Sequence, residues 1–439
     1  MSELSDKILA LKRVSTCLPT LALPLALPVQ RQAAQTWTDN EFPYNPALGP
    51  LPRPPKKEKI RVGYFSADFH AHPVSDLVVG LFEHHDRSKF EVLAFSIGPA
   101  VQDGMRARVA KAVDKFVDVH AMSDMEAAQL SRQMEIDIAI DLGGHTKGCR
   151  TGIFAYKAAP VQINYLGFPG TMGAAYYDYI VADEVIIPPP SRSHYTEKVV
   201  YLPNSYLAGD PGREVSDRVF TRKELELPDE GFVFCCFNNL YKITPSVFDI
   251  WMRLLLGTEH SVLWLSAGNA TATKNLREEA SRRGVDGGRI IFSKRMDSPA
   301  DHLARLRMAD LFLDTQPYNA HATAVDALWA GLPILTCAGE SFASRVAASL
   351  LGTMNMKELI TQSPAEYESL AMDLAKSPAR LELIKSKLAA NRGSSALFDT
   401  ALFAKHMEAA FAVMHERCHS DLPAAHFQVS VAQPNPGLD

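Results

Sequence analysis

The sequence contains no G-x-G-x-x-G and no Walker A pattern, which argues against a standard dinucleotide fingerprint and a P-loop NTPase. No two aspartates stand as D-x-D, so the usual carboxylate grip on a metal-bound nucleotide sugar is missing. Cysteine is scarce: Cys17, Cys149, Cys235, Cys236, Cys337 and Cys418 are the six in 439 residues. None forms a C-x-x-C pair and no histidine stands at zinc spacing from them. So few in so long a chain do not make a disulfide framework, and a reducing cytoplasm is expected. Net charge is also small, with 45 basic against 50 acidic residues, giving −5. Bulk charge therefore offers no argument for nucleic acid as the main partner. Lys56, Lys57, Lys59 and Arg61, beside a proline run, read as a solvated linker edge. Long apolar runs are lacking as well. Leu18 to Val29 follows Lys7, Lys12 and Arg13 and faintly imitates a signal peptide. Pro19, Pro24 and Pro28 interrupt it, and it is too short to span a bilayer, so no membrane partner is expected.

What is present is ordinary for a globular protein: 47% hydrophobic and 22% charged residues, in a chain long enough for two or three domains. Short β-branched or aromatic runs alternate with helical patterns. The first half reads IRVGYF, FEVLAFS, DIAID, VQINYLGF, YDYIVAD and EKVVYLP. The second reads FVFCCF, SVLWLS, RIIFS, DLFLDT and PILTCAG, with helices such as Ser246 to Leu256 and Thr273 to Arg283. Strands apolar on both faces and separated by helices predict parallel sheets covered on both sides. The expected fold class is α/β, with two doubly wound domains and a cleft between them. The expected boundaries are 1–56, a helical and proline-punctuated linker; 57–205, the first domain; 206–390, the second; 391–419, C-terminal helices; and 420–439, a loose tail.

Ligands of open α/β sheets bind beyond the carboxyl ends of the strands. After IRVGYF come Asp68, His70, His72 and Ser75, with a helix expected from about Asp76. After DIAID, Gly143 and Gly144 let backbone approach a ligand, and His145, Thr146 and Lys147 follow. After VQINYLGF stands the glycine-rich PGTMG. After FVFCCF come Asn238, Asn239 and Lys242. After DLFLDT comes QPYNAHATAVDALWAG. There Val325, Leu328 and Trp329 mark one buried helix face, ended by Gly331 and Pro333. The amino end of that helix, near Ala320 to Thr323, would suit a diphosphate, with the Thr323 hydroxyl beside it. Asp326, one turn on, would accept hydrogen bonds from a ribose. Taken singly, each feature has a plainer reading. Thr323 and Asp326 read as first-turn residues favoured by the helix dipole, Lys242 as a solvated lysine, His72 and His145 as structural histidines. One decoy appears: Gly339 to Ala343 approaches a G-x-S-x-G nucleophile elbow around Ser341 but lacks the last glycine.

The stretches RVGYFSADFHAHPVSD, DLGGHTKG, AAPVQINYLGFPGTMG, FNNLYKITP, DALWAGLPILT and GESFASRVAASLL stand in an order and spacing that resemble the catalytic region of the protein O-GlcNAc transferases (glycosyltransferase family 41), above all the bacterial ones. The resemblance runs from about 58 to 415 and also accounts for the decoy. It implies a GT-B fold of two Rossmann-like domains. It further implies inverting, metal-independent transfer of GlcNAc from UDP-GlcNAc to Ser or Thr hydroxyls of proteins, with no cofactor beyond the donor. By residue, it implies that Lys242 meets the diphosphate and Asn239 the nucleotide, with His302 and Arg305 near the uracil. His321, Thr323 and Asp326 would bind phosphate and ribose. Thr146, Gly167, Pro169 and Thr171 would serve the substrate pocket. His72, Asp141 and His145 would face the reacting centre. Two departures stand out. The family carries two threonines where this chain has Ala322-Thr323, and these residues contain no helical repeats upstream, leaving the acceptor protein unassigned. GDP-fucose or UDP-glucose as donor, and a catalytically weak UDP-sugar-binding relative, are the alternatives that remain.

Overall fold

The computed structural model describes residues 2–13, 15–51 and 57–430. The chain forms two compact units, one of residues 1–210 with 399–439 and the other of 211–398. The first strands are β1 (Ile60–Ser66), β2 (Phe90–Ser96), β3 (Lys115–Asp118), β4 (Ile138–Asp141), β5 (Val161–Asn164), β6 (Tyr179–Ala182) and β7 (Lys198–Tyr201). The second unit holds β8 (Val233–Cys236), β9 (Val262–Ser266), β10 (Ile290–Ser293), β11 (Leu311–Leu313), β12 (Ile334–Cys337) and β13 (Ile360–Thr361), and β14 (Phe427–Gln428) returns to the first.

In the first sheet the strand order is β14-β7-β6-β5-β4-β1-β2-β3, and every pairing is parallel. In the second it is β10-β9-β8-β11-β12-β13, again all parallel. Both are doubly wound, each starting in the middle and reversing once. The reversal falls between β1 and β4 in one unit and between β8 and β11 in the other. The loops after those four strands therefore flank the two switch points, where such sheets bind ligands. The central strands are buried without alternation, as expected of strands covered on both faces.

All eleven sequence-predicted strands are present. The two-residue β13 and β14, and the half-exposed β3, carry too little apolar sequence to announce themselves. The helix expected from about Asp76 starts at Pro73, because His72 is extended and accepts the Val74 N–H at 3.3 Å. Ser246 to Leu256 is observed as Pro245–Gly257, and Thr273 to Arg283 as Ala270–Arg282.

The ends of the chain differ most from expectation. Residues 15–51 are packed structure rather than a linker: Leu21, Ala22 and Leu25 are buried, and helix Leu27–Glu41 starts with Pro28 and buries Val29, Ala34, Thr36 and Thr38. The apolar run that imitates a signal peptide is thus core, with Ile8, Leu25 and Val29 forming one small cluster. Lys57 and Arg61 are held by carboxylates, Lys57 by Asp137 at 3.3 Å and Arg61 by Glu91 at 2.7 Å, while Lys56 lies outside the described residues. The division falls after Asp210, and helix Thr400–His419 belongs to the first unit. Its Glu408 accepts from buried His85 (3.0 Å), whose other nitrogen meets the Tyr64 hydroxyl (2.8 Å) on β1. Part of the expected tail is ordered, since Phe427 and Gln428 pair with β7; residues 431–439 lie outside the described ones. Among the described residues no helix is long and apolar enough to cross a membrane.

Candidate functional site

The second unit builds its part from the loops after β8 and β11. Strand β8 ends in Cys236, and Asn239 caps a short turn, Leu240–Lys242, that brings Lys242 inward. Lys242 is 9% exposed. Its Nζ donates to the Asn319 carbonyl at 2.9 Å and lies 3.7 Å from the centre of the Tyr318 ring. Burial pulls its pKa down to about 8, opposed by the nearby Asp314 carboxylate, so the amine stays charged at neutral pH. An ammonium has three donors, and Asn319 uses one. Three residues beyond Asn319, helix Ala322–Ala330 begins. His321 precedes it without a side-chain cap, so the first-turn N–H groups receive nothing from that side chain. Gly331, at φ +85°, ends the helix as expected. Val325 and Leu328 are buried on its face. Trp329 is only half-buried, because its indole N–H reaches out to the Arg213 carbonyl at 3.0 Å.

Behind this lies a residue that the sequence pattern did not single out. Asp314, the last acid of DLFLDT, is buried and accepts from Thr336 (2.7 Å), the Ala320 N–H (2.6 Å) and the Thr315 N–H (2.8 Å). Asn238 reaches the same carboxylate at 3.3 Å and accepts the Thr323 hydroxyl. One carboxylate thus ties the loops after β8 and β11 to each other and to strand β12. Burial raises its pKa to about 6, and Lys242 is among the groups holding it down. The signal was present, in an acid immediately after a buried strand, yet a carboxylate near an anion site reads as unfavourable until its backbone donors are visible.

Asn239 and Thr323 line an open cavity of about 710 Å³ with Phe237, Leu240, Tyr241 and Gly268. Near it, Arg305 donates to His302 Nδ1 from Nε at 3.1 Å and from Nη2 at 2.7 Å. Burial, with Arg305 adding to it, lowers the His302 pKa to about 4, so the ring is neutral. Its Nε2 stands 4.0 Å from Asp326, which is ion-paired to Arg213. The acid expected at a ribose therefore already has a cationic partner. His321 lies beside the Ala343 carbonyl (3.3 Å), and burial and then Lys242 depress its pKa. Ser341 sits in ordinary extended backbone, its hydroxyl donating to Ser344 at 3.1 Å, which is no nucleophile elbow.

In the first unit the loops after β1, β4 and β5 carry the expected residues. Asp141 does not present a free carboxylate. One oxygen accepts the Gly143 and Gly144 N–H groups, each at 2.9 Å, and the other the Tyr177 hydroxyl. It anchors the loop, which corrects its reading as a group facing the reacting centre. His145 is similarly committed. Its Nε2 lies 3.0 Å from the Met172 carbonyl and 3.3 Å from the Thr38 hydroxyl. Nε2 therefore carries the hydrogen, and burial drops the pKa to about 4. Its Nδ1 is buried with no partner among the described residues, inaccessible to an incoming proton in this arrangement.

Thr146 closes the turn onto the Gly143 carbonyl (2.9 Å). Gly167 passes so close that a Cβ would lie 2.2 Å from the Leu142 carbonyl oxygen. Pro169 is buried, and Thr171 donates to Glu197 at 2.6 Å. Glu197 is fully buried and also accepts the Met172 N–H (2.7 Å), fixing the PGTMG turn. Sequence reading missed both Glu197 and Thr38. His72, like His70 two residues before it, keeps a partly exposed side chain, 39% accessible for His72.

Among the described residues one group has metal-ligand chemistry: Asp137, His415 and His419, with ligand atoms within 4.8 Å of one another. Asp137 precedes β4, at the opposite end of the strand from these loops, and its oxygens already meet Lys57 and the Arg61 N–H.

Residues 50–217 and 211–407 match the description of glycosyl transferase family 41. The chain belongs to glycosyl transferase family 41. It is 36% identical over 417 residues to an Arabidopsis thaliana protein described as a probable UDP-N-acetylglucosamine–peptide N-acetylglucosaminyltransferase (SEC), covering 92% of this chain and 43% of that one. A Caenorhabditis elegans UDP-N-acetylglucosamine–peptide N-acetylglucosaminyltransferase is 28% identical, with coverage of 86% and 42%. This family 41 chain thus spans about two fifths of the length of these curated relatives. Among solved structures, a mutant of the Thermobaculum terrenum O-GlcNAc transferase matches with a TM-score of 0.84 at 29% identity, over 95% of this chain and 78% of that one. An Anabaena protein, HepE, solved with UDP and glucose, matches with a TM-score of 0.54 at 13% identity, a likeness of fold alone. The fold class of this family 41 chain is accordingly GT-B: two parallel α/β units of the doubly wound kind.

Proposed function

We propose that this family 41 chain transfers GlcNAc from UDP-GlcNAc to serine or threonine hydroxyls of proteins, with inversion and without a bound metal. The carrying observation is Lys242, a charged amine buried at the amino end of helix Ala322–Ala330. The acceptor oxygen attacks the anomeric carbon and forms the new C–O bond. The bond to the diphosphate oxygen breaks, and its electron pair leaves with UDP. Negative charge grows on the β-phosphate, where the two remaining Lys242 donors and the first helical turn neutralise it, a task that divalent cations perform in other transferases. Asp314 does not touch the donor; it holds the two loops that present Lys242 and Thr323 against strand β12. On the first unit, His72 takes the hydroxyl proton, since the other candidate, His145, has no accessible lone pair. Asn239, His302 and Arg305 serve the nucleoside. Asp326 meets the ribose while remaining tied to Arg213. A cytoplasmic setting fits six free cysteines.

UDP titration by calorimetry, with and without EDTA, tests the donor half, and identical affinities are expected. Incubation with UDP-GlcNAc and a native lysate, followed by mass spectrometry, tests transfer. A thermal-shift panel with UDP-glucose and GDP-fucose tests sugar choice. A strict requirement for a divalent ion sinks the scheme. Ala322, where the family carries threonine, favours a second reading, a weakly catalytic UDP-sugar binder. UDP binding without any modified protein would establish that one instead.

A further inference from the structure

We propose that Asp137, His415 and His419 form a binding site for a divalent ion of the zinc type, which clasps the last turns of helix Thr400–His419 to the sheet of the first unit. The site is separate from the transfer centre, and the proposal does not rest on the function given above.

Residues 415–419 read His-Glu-Arg-Cys-His, the H-E-x-x-H spacing that sets two imidazoles one above the other on a helix face. They are the closing residues of the helix, and the two rings stand with centroids 4.2 Å apart. The third group comes from far along the chain. Asp137 directly precedes β4 and is 3% exposed. One ligand atom from each of the three lies within 4.8 Å of the others. Donors held by one zinc ion at about 2.0–2.1 Å stand ~3.3 Å apart, so the cluster closes onto an ion with shifts of roughly 1.5 Å at most. His419 is only partly buried and can supply that movement. An imidazole has two ring nitrogens, so each histidine can bind the ion through one and keep a hydrogen bond through the other. The negative end of the helix also favours a cation here. Glu416 accepts the Ser420 hydroxyl at 3.3 Å, so the spacing supplies two ligands rather than a hydrolytic base.

Asp137 is fixed in place before any ion arrives. Its N–H donates to the Arg61 carbonyl at 2.9 Å, and its carbonyl accepts the Val161 N–H at 3.2 Å. Its Oδ2 accepts the Arg61 N–H at 2.8 Å, and Oδ1 meets Lys57 Nζ at 3.3 Å. That lysine has other holds, the Glu135 carbonyl at 2.5 Å and the Glu135 carboxylate at 3.6 Å. A carboxylate offers about four lone-pair sites, so an ion adds to Asp137 without displacing the Arg61 N–H and at most moves Lys57 onto Glu135. Two imidazoles and a carboxylate suit zinc, nickel or copper, whereas magnesium and calcium prefer oxygen alone. Four residues of β4, at about 3.3 Å each, put ~13 Å between Asp137 and the loop after the strand, so the ion takes no part in transfer. Its contribution is a tie between the sheet and the helix that returns after the inserted unit, and an ion that binds the folded chain stabilises it by mass action.

The test takes the full chain, stripped with EDTA and then freed of it, and titrates zinc in competition with a chromogenic chelator. One ion per chain is expected, and the melting transition should rise as zinc is added. His419→Gln and Asp137→Asn should each weaken zinc binding by about a hundredfold or more, since loss of an outer-shell partner alone costs about 10–100-fold. Both should also lose the zinc-dependent rise in melting. X-ray absorption of the zinc-loaded wild type reads the ligands without any substitution, and imidazole and oxygen without sulfur are expected. Sulfur around the ion would assign it to cysteine and overturn the proposal. So would failure to bind zinc, or an unchanged affinity in His419→Gln. Unchanged affinity in a folded Asp137→Asn would reduce the site to a bare pair on the helix and overturn the clasp.

Discussion

Lys242→Met separates catalysis from stability. The fold lowers the Lys242 pKa from 10.5 to about 8. At 1.36 kcal/mol for each tenfold step, the charged amine is held inside at a cost of roughly 3 kcal/mol. Two contacts offset this. The Tyr318 ring at 3.7 Å contributes about 1–2 kcal/mol, and the hydrogen bond to Asn319 about 1.5–3 kcal/mol. The balance is near zero, so urea unfolding at pH 7 should change by less than about 2 kcal/mol. Below pH 8 the amine is protonated in both folded and unfolded states, and the full cost is present. Between 8 and 10.5 the folded state sheds its proton first and the cost fades, so wild type should gain stability relative to the variant over that window, by roughly 3 kcal/mol. Transfer should drop by about 10²–10³, the usual loss when one electrostatic stabiliser of the transition state is removed. The assays are urea melts at pH 7 and pH 10 and labelled-sugar transfer. Destabilisation beyond about 4 kcal/mol at pH 7, or transfer within threefold of wild type, would refute this reasoning.

Acid should weaken the fold between pH 6.5 and 4. His145 and His302 both stay neutral to about 4, whereas the unfolded chain takes up their protons from 6.5 downward; each removes roughly 3 kcal/mol by pH 4, and His145→Gln should flatten that slope in urea melts. Gly167→Ala places a Cβ 2.2 Å from the Leu142 carbonyl oxygen and should cost about 3 kcal/mol in the same melts. Helical Gly352→Ala, with nothing within 4 Å, should stabilise by up to about 1 kcal/mol, and equal effects of the two would contradict the packing argument. Ala322→Thr should tighten UDP binding by about tenfold in calorimetry, because a hydroxyl donating to a charged phosphate contributes ~1.5–3 kcal/mol. Unchanged affinity would remove the phosphate from that end of the helix.

The strands were legible because doubly covered parallel strands are written as unbroken apolar runs, and FVFCCF and DLFLDT needed no tertiary knowledge. Gly331 and the amino end near Ala322 were equally readable, since helix ends are local chemistry. The carboxylates were not. Asp141 and Asp326 look alike in sequence, one an acid after a strand and one on a helix. Only their partners, two backbone N–H groups and a tyrosine for one, Arg213 for the other, show what each is engaged in. Thr38 was invisible for a related reason. It lies 107 positions from His145, in a segment whose prolines suggested a connector. Proline at the first turn of a helix terminates nothing, and Pro28 occupies that position.

The first unit is interrupted: residues 211–398 lie between its body and helix Thr400–His419 with β14. During synthesis the inserted unit is therefore complete, and free to fold, before its host has received the helix that supplies Glu408 to His85. A chain interrupted before helix Thr400–His419 would carry one finished unit and one with an unfilled place beside Gly80, where Thr400 packs. Damage to helix Thr400–His419 thus harms the unit whose body precedes residue 211 and spares the inserted one.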